Sequence, residues 1–343
     1  MWETTGDSVE SDLWKPQMPL SASAGAGEGE SVTGKRNLQA GRRVQGVMMS
    51  REKREKNGVQ KQEQRQAPQK DPERLKVLER IRQLEREGRF DVDAEDDPPT
   101  LPLEPDRIDY LRVKPASRVK VKFSYAVANR FVDKLLREGK LVLKEIRGME
   151  HLNGLNSGAI LTCNHFNPFD CFTVEHLFRI SEHQGKRQLF KVIREGNYTN
   201  FPGFYGFLFR NCNTLPLSQN KKTMYHFLRA VDTILQRGDF ILIYPEQSLW
   251  WNYRKPKPLK NGAFKFAVKN RVPVLPIFIT MEDGQGYGPD GFPVQEYTVF
   301  IGKPVYPRQG LTEREQVSAM REENFAAWKS VYEEFYGIAL EYE

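Results

Sequence analysis

Short apolar runs alternate with helix-period patterns across most of residues 141–335. Runs of branched and aromatic residues predict strands at 141–146, 159–163, 189–193, 214–217, 240–244, 272–279 and 297–301. Apolar positions three and four apart predict helices at 168–180, 222–236, 261–269 and 313–335. Some strands follow each other with no helix between them. The pattern therefore predicts an α/β fold, a mixed, mostly parallel sheet flanked by helices. Upstream, Val127, Phe131 and Leu135 form one stripe of a helix at 123–137, with Ala128 and Val132 beside it and Arg130, Lys134 and Arg137 opposite. Such a helix either packs on a core or lies in a lipid interface with its basic side toward anionic headgroups.

The pattern fades toward the N-terminus. Residues 1–71 hold too few apolar groups to offset the entropy of ordering, so a disordered tail is expected there. Met48 and Met49 inside it are candidate later starts of a shorter product. At 72–86, Leu75, Leu78, Ile81 and Leu84 recur about a turn apart among mixed charges, predicting a short amphipathic helix. The acidic, proline-rich stretch 91–106 reads as a linker. The expected division is a tail at 1–71, helix and linker at 72–119, and one domain at 120–343.

Charge sharpens this picture. The net charge is +7, and residues 1–97 carry 18 Lys and Arg against 19 Asp and Glu, so the positive charge belongs to the part expected to fold. A basic domain suits phosphate-bearing ligands, anionic lipid surfaces or nucleic acid. Cys163, Cys171 and Cys212 are sparse and lie in or beside apolar segments, which predicts reduced core thiols rather than a disulfide frame or a zinc site. No run of 18 apolar residues occurs, and the N-terminus lacks the basic-then-apolar order of a signal peptide. A cytoplasmic protein is expected, meeting a membrane from one side.

Candidate chemistry concentrates at residues 158–170, GAILTCNHFNPFD. A buried strand delivers Asn164 and His165 to its carboxyl end, where open α/β sheets gather their chemistry. Pro168 suits a first helical turn, and Asp170, within that turn, is placed to reach the His165 ring. An imidazole held by a carboxylate takes a proton from a hydroxyl near neutral pH, which describes a general base. The same spacing also suits a capped helix with a core histidine.

The Asn-His-x4-Asp string directly after an apolar strand resembles the signature block of the glycerolipid and lysophospholipid acyltransferase family. Tyr244-Pro245-Glu246, ending the run FILIYPE, is similar to that family's third block; Val272–Ile279 resembles its fourth, and residues 301–307 its closing strand and turn. The resemblance covers about residues 120–310. It implies that His165 is the base, that Asp170 fixes its tautomer, and that Asn164 and Glu246 help position the acceptor.

Two blocks depart from the pattern. Ser218, Gln219 and Asn220 stand where an acceptor-binding arginine is usual, leaving Lys221 and Lys222 to supply charge. Gln247, Ser248 and Leu249 replace the usual glycine and arginine after the glutamate, and WWNYRKPKPLK follows, with Arg254 and Lys255 as candidate phosphate ligands. The aromatic segment 201–209, with Trp250 and Trp251, is a candidate wall for an acyl chain.

The resemblance implies acyl transfer from a thioester, acyl-CoA or acyl carrier protein, to a lysophospholipid hydroxyl, with 1-acylglycerol-3-phosphate as the default acceptor and phosphatidic acid as product. No bound cofactor or metal is expected, and no nucleic-acid partner; an anionic membrane surface is. Three rival readings stand beside it: a covalent acyl carrier at Cys163 or Cys171, a metal site at His165, Asp170 and Glu246, and a non-catalytic protein, of the same fold, using its basic core and tail on anionic membrane or nucleic acid.

Overall fold

Strands β1 (Val142–Arg147), β2 (Ala159–Cys163), β3 (Leu189–Ile193), β4 (Thr214–Pro216), β5 (Phe240–Ile243), β6 (Val274–Tyr287) and β7 (Pro293–Ile301) form one sheet in the order β1-β7-β6-β2-β5-β3-β4. Only the β6–β7 pair is antiparallel. This is the mixed, mostly parallel sheet that the alternation predicted. The computed structural model describes residues 68–96 and 99–343; of the expected tail, residues 1–67 lie outside the described residues.

Helices cover both faces because both faces are apolar. All five residues of β2 are buried, and their alternation sorts them between two cores. Leu161 and Cys163 join the cluster beneath helices α2 (Pro115–Arg137), α3 (Met149–Asn153), α4 (Pro168–Ile180) and α6 (Gly203–Asn211). Ile160 joins the opposite cluster with α7 (Lys221–Gln236), α8 (Gly262–Asn270) and α9 (Glu313–Tyr336). Between β3 and α6 lies one further short helix, α5 (Glu195–Thr199).

Most expected elements are present, with informative differences. Helix α2 begins at Pro115 rather than 123, since its first two turns are largely exposed and carry no apolar stripe to announce them. Strands β6 and β7 extend past the sheet as a hairpin whose tip is polar. Helix α6 takes in residues 203–209 of the aromatic segment expected as a wall. Its glycines have a purpose: a Cβ on Gly206 would lie 1.8 Å from the Phe201 carbonyl oxygen.

Helix α1 (Pro72–Arg86) is where the amphipathic pattern placed it, capped by Asp71. Its apolar face packs with Trp250, Trp251 and Phe292 in a third cluster. The Asp71 amide bonds the Asp290 carbonyl at the tip of the β6–β7 hairpin. The stretch expected as a linker lies along the domain. Asp93 accepts a bond from the Leu249 amide, and Leu103 is buried with its amide on Glu195.

Candidate active site

Parallel strands β2 and β5 are neighbours, so the loops leaving their carboxyl ends meet. The first carries His165 and enters α4 through Asn167, whose side chain accepts the Phe169 amide; Asp170 answers it in a capping box. This cap brings the carboxylate back under the loop. Asp170 Oδ2 lies 2.8 Å from His165 Nδ1 and also accepts the Phe166 and Asn167 amides. The expected dyad is therefore formed, and by the same turn that caps the helix.

Asp170 is fully buried, whereas His165 keeps 24% of its side chain exposed. With Nδ1–H donating to the carboxylate, Nε2 carries the lone pair, and among the described residues it has no hydrogen-bond partner. Tyr244, at the end of β5, completes the carboxylate's shell. Its hydroxyl donates to Asp170 Oδ1 at 2.7 Å, and its ring stacks on the imidazole with centroids 4.0 Å apart. Burial, followed by the Asp170 charge, holds the Tyr244 hydroxyl far above the ordinary phenol range, so it remains a donor. Sequence reasoning passed over this residue. The available signal was a tyrosine ending a buried strand, where its hydroxyl needs a partner.

Two residues expected to position the acceptor are engaged elsewhere. Asn164 is buried and pairs with the backbone of Ile279 in both directions, at 3.0 and 2.8 Å, pinning β2 to β6. Glu246 is 2% exposed. One oxygen accepts the His165 amide at 3.0 Å and the other the Lys257 amide at 2.9 Å. Glu246 thus braces the loop that carries His165, through its backbone and not its ring. Among the described residues, no group of three His, Cys, Asp or Glu side chains is placed to hold a metal ion.

The basic run 250–260 differs most from expectation. Lys257 is buried, with Nζ on the Ser248 carbonyl and hydroxyl at 2.7 Å and 3.6 Å from Glu246. Burial pushes the Glu246 carboxyl up and the Lys257 ammonium down, and each charge opposes the other's shift. Lys255 pairs with Glu85 of α1, and Arg254 with Asp283. Neither expected phosphate ligand points into the His165 corner. Trp250 is fully buried, its Nε1–H on the Val92 carbonyl, and Trp251 packs against Phe292 with Arg74 over its ring. These tryptophans seat α1 and are not walls of an acyl groove. A lysine between prolines gives no sequence signal that distinguishes a buried brace from a surface charge.

Lys221 and Lys222 are exposed at the start of α7, beyond β4. Strand β4 lies three places from β2 in the sheet, roughly 14 Å at the usual spacing. The structure does not bring them to His165. The three residues replacing the usual arginine have structural partners. Ser218 donates to Glu195, which also accepts the Gln219 amide, and Asn220 caps α7 by accepting the Lys222 and Thr223 amides. Arg194, unremarked in the sequence, ends β3 beside the site and donates to the Gln247 carbonyl.

The thiols fit inert positions. Burial pushes Cys163 well above its ordinary range, Cys171 up to about 12 and Cys212 up to about 11. Little thiolate exists near neutral pH to carry an acyl group.

The Acyltransferase family model matches residues 144–280, the segment that holds both loops of this corner. Residues 144–280 thus carry an Acyltransferase domain. Among solved structures, the acyltransferase is similar to the 1-acyl-sn-glycerophosphate (LPA) acyltransferase PlsC from Thermotoga maritima, at 20% identity and a TM-score of 0.45, over 66% of this chain and 83% of that one. No curated protein sequence matches. Among the described residues of the acyltransferase, no helix is long and apolar enough to cross a membrane.

Proposed function

We propose that this acyltransferase moves a fatty acyl group from an acyl thioester to the free hydroxyl of a lysophospholipid, with 1-acylglycerol-3-phosphate as the first acceptor, yielding phosphatidic acid for phospholipid biosynthesis. The observation that carries this reading is the partly exposed His165 side chain, its Nδ1 fixed on Asp170 at 2.8 Å, which leaves Nε2 as the ring nitrogen away from the carboxylate. His165 Nε2 takes the proton of the acceptor hydroxyl as its oxygen attacks the thioester carbonyl. Asp170 holds the tautomer and stabilises the imidazolium. The tetrahedral intermediate collapses, the C–S bond breaks, and the thiolate leaves with the proton returned by the imidazolium. The donor is acyl-CoA or an acyl carrier protein, as a substrate rather than a bound cofactor.

An exposed apolar and basic surface supports a lipid acceptor. Helix α2 exposes Val119 and Phe123, at 69% and 62%, among the exposed side chains of Lys114, Arg118, Lys120 and Lys122. Behind them, Phe131 meets Phe172, Phe204 and Tyr205 in an aromatic layer between α2, α4 and α6. Apolar side chains among cations suit an anionic membrane surface on the cytoplasmic face, and the aromatic layer suits an acyl chain.

The test is product formation from labelled long-chain acyl-CoA and, in parallel, acyl carrier protein, against lysophospholipids and glycerol-3-phosphate, with His165→Ala alongside. Wild type is expected to form the diacyl product, and the folded variant to lose about 10²–10⁴ of the rate. Vesicle binding by both proteins without turnover from any pairing would replace the enzyme with a lipid-binding relative.

A further inference from the structure

We infer that Tyr244 is a positioning residue that tunes the His165–Asp170 dyad, forming a Tyr–Asp–His relay in which the phenol hydroxyl and the imidazole share one carboxylate. This rests on the proposed role of His165 as base.

The geometry is specific. Asp170 Oδ2 serves His165 Nδ1 and two backbone amides, while Oδ1 receives the Tyr244 hydroxyl at 2.7 Å. The Tyr244 ring lies against the imidazole at 20° between planes, so one side chain sets both the ring's tilt and the carboxylate's second oxygen. The pattern this chain resembles asks only for an aromatic or apolar residue before Pro-Glu, and stacking needs no more. The hydroxyl adds something that stacking does not require.

Its effect follows from charge. A buried carboxylate accepting four donors spreads its negative charge over all of them. Removing the phenol hydroxyl leaves Oδ1 without that donor, so more of the charge is balanced by the imidazole and the imidazolium is favoured. The base then stays protonated to higher pH. The hydroxyl of Tyr244 thus shares the carboxylate's charge with the imidazole, and a phenylalanine, which keeps the stacked ring, removes that share alone.

The other groups facing this cluster are fixed by their own partners or protonated. Cys163 from β2 and Cys171 from α4 are thiols held protonated by burial. Glu246 from the loop after β5 is tied to the amides of His165 and Lys257, with the Lys257 ammonium behind it.

The test is the pH profile of kcat/KM for Tyr244→Phe, which keeps the stacked ring, together with the low-field proton resonance of His165 Nδ1–H, assigned by its disappearance in His165→Gln. The acid limb is expected to move up by roughly half a pH unit, with KM unchanged and the Nδ1–H resonance shifted downfield. Placing 3,5-difluorotyrosine, a stronger donor, at position 244 should move the limb the other way. An unmoved limb and resonance, with only thermal stability reduced, would overturn the relay and leave Tyr244 a packing residue. If no pairing of substrates gives turnover, the proposed function fails, yet the resonance still decides whether Tyr244 acts on the dyad.

Discussion

Two aromatic stretches of this acyltransferase look alike as sequence and do opposite things. Residues 203–209 of the first lie in α6, whose Phe204, Tyr205 and Phe207 are only partly buried beside the exposed turns of α2. Residues 250–260 carry three aromatic rings and four basic groups, yet Trp250 and Lys257 are sealed, and Arg254 and Lys255 are matched to Asp283 and Glu85. The difference is the company each keeps. An aromatic–basic run becomes a surface when nothing opposite it is apolar or acidic. Here α1 brings Val77, Ile81 and Leu84 to the tryptophans and Glu85 to a lysine, so the run becomes a seat.

The largest effect should come from unseating that contact. Trp250→Ala removes a fully buried indole and its bond to the Val92 carbonyl, an expected loss of about 3–5 kcal/mol in denaturant unfolding. A loss below about 1 kcal/mol together with a raised KM for lipid would return Trp250 to the acyl groove and end the contrast.

What the sequence disclosed follows the same division. Strand β2 and helix α4 were legible to the residue, because a continuous apolar run and a proline followed by an acid in the first turn are local signals. The dyad was legible because its two members are five residues apart. Contacts between distant segments were not. Asn164 on Ile279, Glu246 on the His165 amide and Lys257 on Ser248 are polar pairings across the fold, and a polar side chain looks the same in sequence whether it meets a ligand or a backbone. In the sequence alone Asn164 and Glu246 read as ligand-facing for want of those partners. Lys221 and Lys222 show the converse, being exposed but placed by the strand order on the far side of β3.

The exposed half of the comparison is tested by Phe123→Ser. The ring is 62% exposed and touches Phe207 edge-on at 6.4 Å, so folding stability should change by no more than about 0.5 kcal/mol. Binding to vesicles containing anionic lipid should weaken about tenfold, as expected when roughly 1.5 kcal/mol of ring burial is lost. Unchanged vesicle affinity would remove α2 from the membrane surface while leaving the dyad untouched.

The smallest effect concerns the loop between the two regions. Gln247 stands where the resembled pattern has glycine, and its backbone keeps the left-handed geometry, with φ at +66°. The turn is closed by its amide on the Tyr244 carbonyl, and its own carbonyl accepts a bond from Arg194, so the backbone path is held from both sides. The side chain is exposed. Only the conformation, and not a side-chain contact, distinguishes the two residues here. Left-handed geometry costs a residue with a Cβ about 1–2 kcal/mol, and glycine gives back part of that through its freer unfolded chain. Gln247→Gly should therefore stabilise the protein by about 0.5–1 kcal/mol in denaturant unfolding, with acyl transfer unchanged, since Tyr244 and Glu246 keep their bonds. A loss of stability would mean that the glutamine contributes to the Glu246 loop through its side chain, and that the departure from glycine is a functional substitution rather than a tolerated strain.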